Sequence, residues 1–427
     1  MKFTRVFAFM ALAGLAGSAF ATNGMFSHGY GMKSKGMAGA STASSDDAFF
    51  GANNPAAAAF AGNRLDLGVD LFSPIRETEN VGGNPPPFGM GPAAFGEESE
   101  ANYHLIPEFG YNRMLGENVA LGVTVYGNGG MNTDYPALGG AFGTTNSLGG
   151  QGALGIDLMQ LIIAPTAAFK IAPNHSIGIS PLLGYQKFAA TGLQGFAGIS
   201  SDGTALTNQG NDDAYGYGVR IGYMGKITPA VTIGVAYSTK VDFQEFDKYK
   251  GLFAEQGDLD LPENYSLGVA WDVTPALKLA ADYQRINYSG VAAIGNPSAN
   301  YAIPGGAMGL DNGAGFGWAD MDIWKLGVEY KLNQQMVLRA GYSYGESPID
   351  GAEVAEAAFN IIAPGVIEHH LTLGMTYTTA SGDEMTVAYM HGFENEVSGN
   401  RPAGFGGGVD TTSMYQNSLG FQYSWKM

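Results

Sequence analysis

The chain has 427 residues, and only 14% of them are charged against roughly 25% in a typical soluble protein, while glycine, tyrosine and phenylalanine number 65, 22 and 24. So few charges exclude an ordinary aqueous surface for a chain of this size, and the formal charge of −18 argues against nucleic acid as a partner. With no cysteine, neither disulfides nor thiolate metal sites are available, and the fold must be held by its core and its backbone ladder.

Residues 1–21, MKFTRVFAFMALAGLAGSAFA, open with Lys2 and Arg5, continue through an apolar run from Val6 to Leu15, and end on the small residues Ala19 and Ala21. This pattern predicts an export signal cut near Ala21. The run is shorter than the ~20 apolar residues of a membrane helix, and no apolar stretch of that length follows it. Residues 22–62 show no strand alternation, yet they are not a charged disordered tail either: Gly36 to Ala40 and Ala56 to Ala59 are small enough to pack closely inside something.

From residue 63 onward a period of two dominates. Leu65, Leu67, Val69 and Leu71 alternate with Asp66, Gly68 and Asp70; Val231, Ile233, Val235 and Tyr237 alternate with Thr232, Gly234, Ala236 and Ser238. Such strands separate two different environments. A soluble sandwich would turn the apolar side inward, and a membrane barrel would turn it outward to lipid. Segments of the length that a tilted membrane strand needs, aromatic residues near segment ends (Tyr223, Trp271, Tyr283, Tyr330, Tyr377) and an opposite face of Gly, Ser, Thr, Lys, Arg and Asp favour the barrel.

Neighbouring segments meet alternately through very short and long connections. The short ones centre on Gly116, Pro173, Pro229, Pro275, Asn333 and Ser381; the long ones are expected near 76–100, 129–159, 190–212, 244–261, 291–318, 348–363 and 396–413. Six turns and seven loops connect fourteen antiparallel strands, with both ends of the barrel on the short-turn side. The final stretch alternates Leu419, Phe421, Tyr423 and Trp425, as suits a strand that closes on the first. Because residues 22–62 enter from the short-turn side, their expected place is the lumen, as a plug. The domain reading is therefore a signal at 1–21, a plug at 22–62 and an all-β transmembrane barrel at 63–427, in the outer membrane of a Gram-negative bacterium.

The run KGMAGASTASSDDAFFGANNPAAAAF, followed at once by a first strand, resembles the N-terminal hatch of the FadL/TodX outer-membrane transporters of long-chain fatty acids and hydrocarbons. The resemblance lies in a Gly-Ala-rich segment, an acidic stretch matched by Asp46 or Asp47, and an Asn-Pro-Ala motif matched by Asn54, Pro55 and Ala56. It implies hydrophobic ligands caught in an apolar groove between extracellular loops, gated by the hatch, and released sideways through a kink in the third strand. Long-chain fatty acids are the first expectation, with hydrocarbon uptake or an unplugged porin as alternatives. The partners implied are the ligand, membrane lipid and, during biogenesis, the barrel-assembly machinery. No cofactor is expected.

On that basis Leu148, Leu154, Ile156, Leu158 and Met159 are groove candidates, and a self-packed surface loop is the competing reading. Gly127, Gly129 and Gly130 end the third strand where missing side chains favour a bulge, although Pro107, Pro165 or Pro181 could mark the opening instead. For a ligand carboxylate, Lys170, Arg220, Lys278, Lys325 and Arg339 face the lumen by alternation, with structural ion pairs as the alternative.

Catalytic signals are weak. Gly341 to Gly345 fits a G-x-S-x-G pattern around Ser343, but Tyr342 and Tyr344 continue a strand, not the sharp turn a hydrolase needs. His369 and His370 fall on opposite faces of one strand, and Asp258, Asp260 and Glu263 read as a solvated acidic loop. No catalytic residue and no metal site is expected.

Overall fold

A strand that is apolar on one side and polar on the other needs a different medium on each side, and a closed ring supplies both. The computed structural model describes residues 22–83, 94–139 and 144–427, so the expected signal at 1–21 lies outside the described residues. In chain order the strands are β1 (Arg64–Val81), β2 (Phe95–Glu98), β3 (His104–Leu115), β4 (Val119–Tyr135), β5 (Leu154–Ala172), β6 (His175–Thr191), β7 (Asp212–Thr228) and β8 (Val231–Ser238). They continue as β9 (Asp242–Phe243), β10 (Asn264–Asp272), β11 (Leu277–Ile286), β12 (Met321–Lys331), β13 (Met336–Gly345), β14 (His369–Thr378), β15 (Glu384–Asn400) and β16 (Val409–Lys426). Fourteen of them form an antiparallel wall; the short β2 and β9 only add to the sides of β1 and β7.

The last strand closes on the first without a register shift, from Arg64 opposite Lys426 to Val81 opposite Val409. The side-chain alternation then sorts itself between two media. Leu71, Val269, Trp271, Leu326, Leu373 and Phe421 stand exposed on the outer face, while Asp66, Asp70, Glu108, Ser180, Thr372 and Gln422 are buried on the inner one. This inverts the usual order of a soluble protein and is the order that lipid demands.

Short turns at 116–118, 173–174, 229–230, 273–276, 332–335 and 379–383 lie on one rim. The described parts of connections 82–103 and 136–153, and connections 192–211, 239–263, 287–320, 346–368 and 401–408, lie on the other. The second of these is shorter than the expected 129–159, because β4 continues to Tyr135 and pairs it with Leu154 at the start of β5. Leu154 to Met159 are therefore strand residues, since a ladder can run on past the apolar band through sequence with no lipid-facing pattern.

Leu373 projects to lipid from β14, opposite Ala340 and Tyr389. Leu373→Arg is expected to lower the unfolding free energy in phospholipid vesicles by about 2–4 kcal/mol, read by urea titration. No loss of stability would show that this face does not meet hydrocarbon.

Candidate functional site

Residues 22–62 thread the lumen and are almost wholly buried. Their lower part is tied by one side chain above all. Asn54 precedes a short 3-10 helix, Pro55–Ala59, and its Oδ1 accepts the Ala56 N–H at 3.1 Å, while Nδ2 donates to the carbonyls of Thr42 at 2.8 Å and Tyr223 on β7 at 3.0 Å. Asn caps a helix in this way because its short amide reaches the unpaired first-turn donors, and Pro55 supplies the fixed φ that starts the turn. Ala56 to Ala59 then pack on Ala120, Ala168 and Met224 of the wall.

Wall carboxylates, and one wall lysine, bind the segment elsewhere. Lys33 meets Glu384 at 2.6 Å, Lys35 meets Asp70 at 2.6 Å and Glu108 at 3.2 Å, and Lys278 meets Asp46 at 3.3 Å. Asp66 accepts the Ala48 N–H at 2.6 Å, and one oxygen of Asp282 accepts those of Ser41 and Thr42 at 2.9 and 2.8 Å. Buried pairs of this kind gain little net stability, yet breaking one strands a charge, so they hold the segment in one position. Burial opposes ionisation of Asp46, but the Lys278 and Lys33 ammonium groups outweigh it and hold the carboxyl below its ordinary range. Burial and the neighbouring Asp66 push Asp47 the other way, up to about 6.

Higher in the barrel the wall is incomplete. The β3–β4 ladder stops at Phe109 opposite Val125; beyond it, residues 104–108 pair only with β1 and residues 126–135 only with β5. The β4–β5 ladder also skips Asn128, between Gly127 opposite Leu161 and Gly129 opposite Gln160, which makes a bulge. Pro107 sits on this stretch of β3, opposite Val69 of β1 and without a β4 partner. The start of the N-terminal segment lies against this edge: Phe26 bridges to Gly129, and the Tyr30 hydroxyl donates to Asn128. A side chain on Gly129 would overlap the Met25 carbonyl, so the close approach requires glycine there. Tyr288 pins the same segment, donating to the Asn23 carbonyl at 2.5 Å and accepting the Met25 N–H at 2.9 Å.

Pro165 and Pro181 mark a second lapse. The β5–β6 ladder omits residues 164–166 and 180–182, and Thr166 and Ser180 replace it with a hydroxyl contact of 2.6 Å.

Above the N-terminal segment lies an apolar cluster that joins Leu148, Leu154, Ile156 and Leu158 to Met25, Phe26 and residues of five further connections. A cavity inside it is lined by Ile156, Phe188, Phe196, Phe253, Phe316 and Phe359, among other apolar residues. Met159 is a correction: alternation turns it to the opposite side of β5, away from its four companions. The aromatic contribution of residues 239–263 was missed in the sequence, although Phe246, Tyr249 and Phe253 stand three and four apart in QEFDKYKGLFAE and point to one packed side.

The five lumen cations separate into distinct settings. Lys278 and Arg339 are ion-paired, Arg339 with Glu329 at 2.7 Å, and Lys170 lies over the Phe60 ring at 5.4 Å. Arg220 donates to the carbonyls of Gly51 and Ala52, and Lys325 to the His28 carbonyl and Gln284. Among the described residues, neither Arg220 nor Lys325 has a carboxylate within ion-pair distance, and both line one small cavity beneath Phe26.

Ser343 stays within β13, fully buried, 3.2 Å from His370 Nδ1, while His369 faces outward and bonds Tyr342. The acidic loop is not solvated as expected: Asp260 is buried, accepts the Phe243 N–H at 2.7 Å and pairs with Lys240. Burial and Asp260 push the Asp258 carboxyl up to about 8. No cluster of three or more metal-ligating side chains of the His, Cys, Asp or Glu type occurs among the described residues.

A fourteen-stranded outer-membrane barrel with a threaded lumen and an apolar interior is the class of protein that these features define. The chain belongs to the outer membrane protein transport family (OMPP1/FadL/TodX), whose profile matches residues 8–425; it is a family of transporters of hydrophobic compounds, not of enzymes. The structure is similar to that of the Pseudomonas putida toluene transporter TodX, with a TM-score of 0.66 at 19% identity over 94% of this chain and 99% of the other. It is also similar to a Pseudomonas aeruginosa FadL homologue, with a TM-score of 0.68 at 16% identity and the same coverage, 94% and 99%. The Ralstonia pickettii toluene transporter TbuX gives 0.64 at 17% identity, again over 94% and 99%. No curated protein matches the chain.

Asn54→Ala removes a cap, a tie to Thr42 within the segment and a tie to Tyr223 of the wall, and is expected to speed amide exchange over residues 42–60 by the equivalent of about 1–2 kcal/mol, with β10 to β14 unchanged. The Asp47 carboxyl binds its proton more tightly when folded, so its stabilising contribution is complete below its ordinary value of 3.8 and lost as pH rises through about 6. Exchange over residues 42–60 should accelerate across that window, and Asp47→Asn should flatten the response.

Proposed function

We propose that the protein carries hydrophobic compounds, long-chain fatty acids foremost, from the exterior into the outer membrane, with residues 22–62 as the hatch. The observation that carries this reading is the break between β3 and β4, met by the hatch at Phe26 and Gly129 beneath an apolar cluster. A water-filled pore would keep each methylene hydrated, at a cost of about 0.8 kcal/mol apiece relative to an apolar surrounding. A dry chamber followed by a sideways exit avoids that cost.

The ligand enters the cavity around Ile156 and Phe196, displaces the first residues of the hatch from the β4 edge, and leaves through the break into lipid. Gly127, Gly129 and Gly130 form the lateral opening, and Asp46, Asp47, Asn54, Pro55 and Ala56 keep the lower hatch in place while its start moves. Arg220 and Lys325, which lack a carboxylate partner among the described residues, serve a ligand carboxylate better than the paired Lys278 and Arg339. A second reading, uptake of neutral hydrocarbons, draws support from the wholly apolar lining of the cavity. An open porin is disfavoured by the buried hatch.

The test is uptake of labelled oleate and labelled toluene by cells lacking their own transporter, supplied with the intact protein or with Asn128 deleted to restore a regular β4 ladder. Uptake with the intact protein, falling to background with the deletion while the barrel still closes, is the expected result. Undiminished uptake with the deletion would remove the lateral exit. Entry of small sugars in place of both compounds would make this a porin.

A further inference from the structure

At the extracellular end of the wall break, β1 has lost its β3 neighbour: the last β1–β3 pair is Phe72 with His104, and β2 joins β1 only from Glu77 onward. Arg76 lies in this interval and its side chain turns inward, 3% exposed. Its two terminal nitrogens donate to the backbone carbonyls of Asn132 on β4 and Ala101 in the β1–β3 connection, so the guanidinium ties β1 directly to β4 across the missing strand. Among the described residues, no carboxylate lies within ion-pair distance of it, and its Nε–H has no hydrogen-bond partner. Three residues along β4 from Asn132, the Tyr135 hydroxyl is also buried and, among the described residues, unpartnered, with its ring in the same apolar cluster as Leu148, Leu154 and Ile156.

A buried guanidinium held by neutral carbonyls, with its Nε–H unpartnered among the described residues and a phenol beside an apolar chamber, is an incomplete site. A carboxylate completes it. It is a stronger partner for guanidinium than an amide carbonyl, because the hydrogen bonds become charge-assisted and bidentate. We propose that Arg76 and Tyr135 bind the carboxylate head of the ligand at the wall break, and that the head, by displacing the Asn132 and Ala101 carbonyls from Arg76, unlatches β4 from β1. This inference rests on the lateral-exit reading above and deepens it: the site selects hydrophobic carboxylates over neutral molecules of the same shape. Glu97 on β2 stands near Arg401, and burial pushes its carboxyl up to about 7.

The ligand pair that isolates the head is oleate and its neutral methyl ester. Equilibrium binding of each to the full-length protein in detergent, and uptake of each by cells, is measured for the intact protein, Arg76→Met and Tyr135→Phe. Arg76→Met is expected to weaken oleate binding about 10- to 100-fold, the worth of a charge-assisted contact, and to leave methyl oleate unchanged. Tyr135→Phe keeps the ring and removes only the hydroxyl, so it tests the site even where Arg76→Met fails to fold; it should weaken oleate selectively by a smaller factor. Equal loss of both compounds would reduce Arg76 to a structural tie and overturn the inference, as would no loss of either. Failure of the intact protein to take up either compound would instead overturn the transport reading, and this inference with it.

Discussion

In the hydrocarbon of a bilayer no water is available to pair a backbone N–H or C=O, so every such group of the wall must find its partner in a neighbouring strand. The rest of the molecule follows from that constraint. It explains the closure of β16 on β1 over their whole lengths, the even strand number, and the sorting of Leu, Trp and Phe to one face of each strand. It also makes the two lapses in the ladder conspicuous. At β5–β6 a hydroxyl pair bridges two facing prolines; at β3–β4 the open edge of β4 is met by the N-terminal segment and, further up, by a guanidinium.

The lumen solves a different problem, since an inner face of polar side chains around a peptide segment must satisfy both. Between Lys33 and Ala48 wall carboxylates meet both lysines and the amides of Ser41, Thr42 and Ala48, and the Asn54 amide adds a tie to β7. The first few residues are held differently, by Tyr288, Tyr30 and one bridge to Gly129, with aromatic packing in place of ion pairs. That contrast divides the segment into a fixed lower part and a lightly tied upper part. It places the lightly tied part where the wall is open.

The loops complete the design by turning hydrophobic residues inward above the segment. Phe188 meets Tyr249 and Phe253 edge to face and Phe246 at a tilt, and Phe196 stacks on Phe359, so residues far apart in the chain form one apolar interior.

Much of the architecture was legible before any coordinates. Period-two alternation, short turns at Gly116, Pro173 and Pro229, and the aromatic end at Trp425 specify a fourteen-stranded barrel, because strand geometry couples each residue's position to one of two faces. The same rule assigned Arg220, Lys325 and Ser343 to the lumen. What alternation cannot say is who stands opposite whom across the lumen, because those partners are separated by hundreds of residues and set by the barrel's curvature. So the tertiary structure alone decided that Lys278 and Arg339 are paired while, among the described residues, Arg220 and Lys325 are not, that Met159 faces away from the apolar cluster, that Asp260 is buried, and that Arg76 ties β1 to β4 beyond the last β1–β3 pair. Local pattern determined the wall; contacts across the ring, which no local pattern encodes, determined the site.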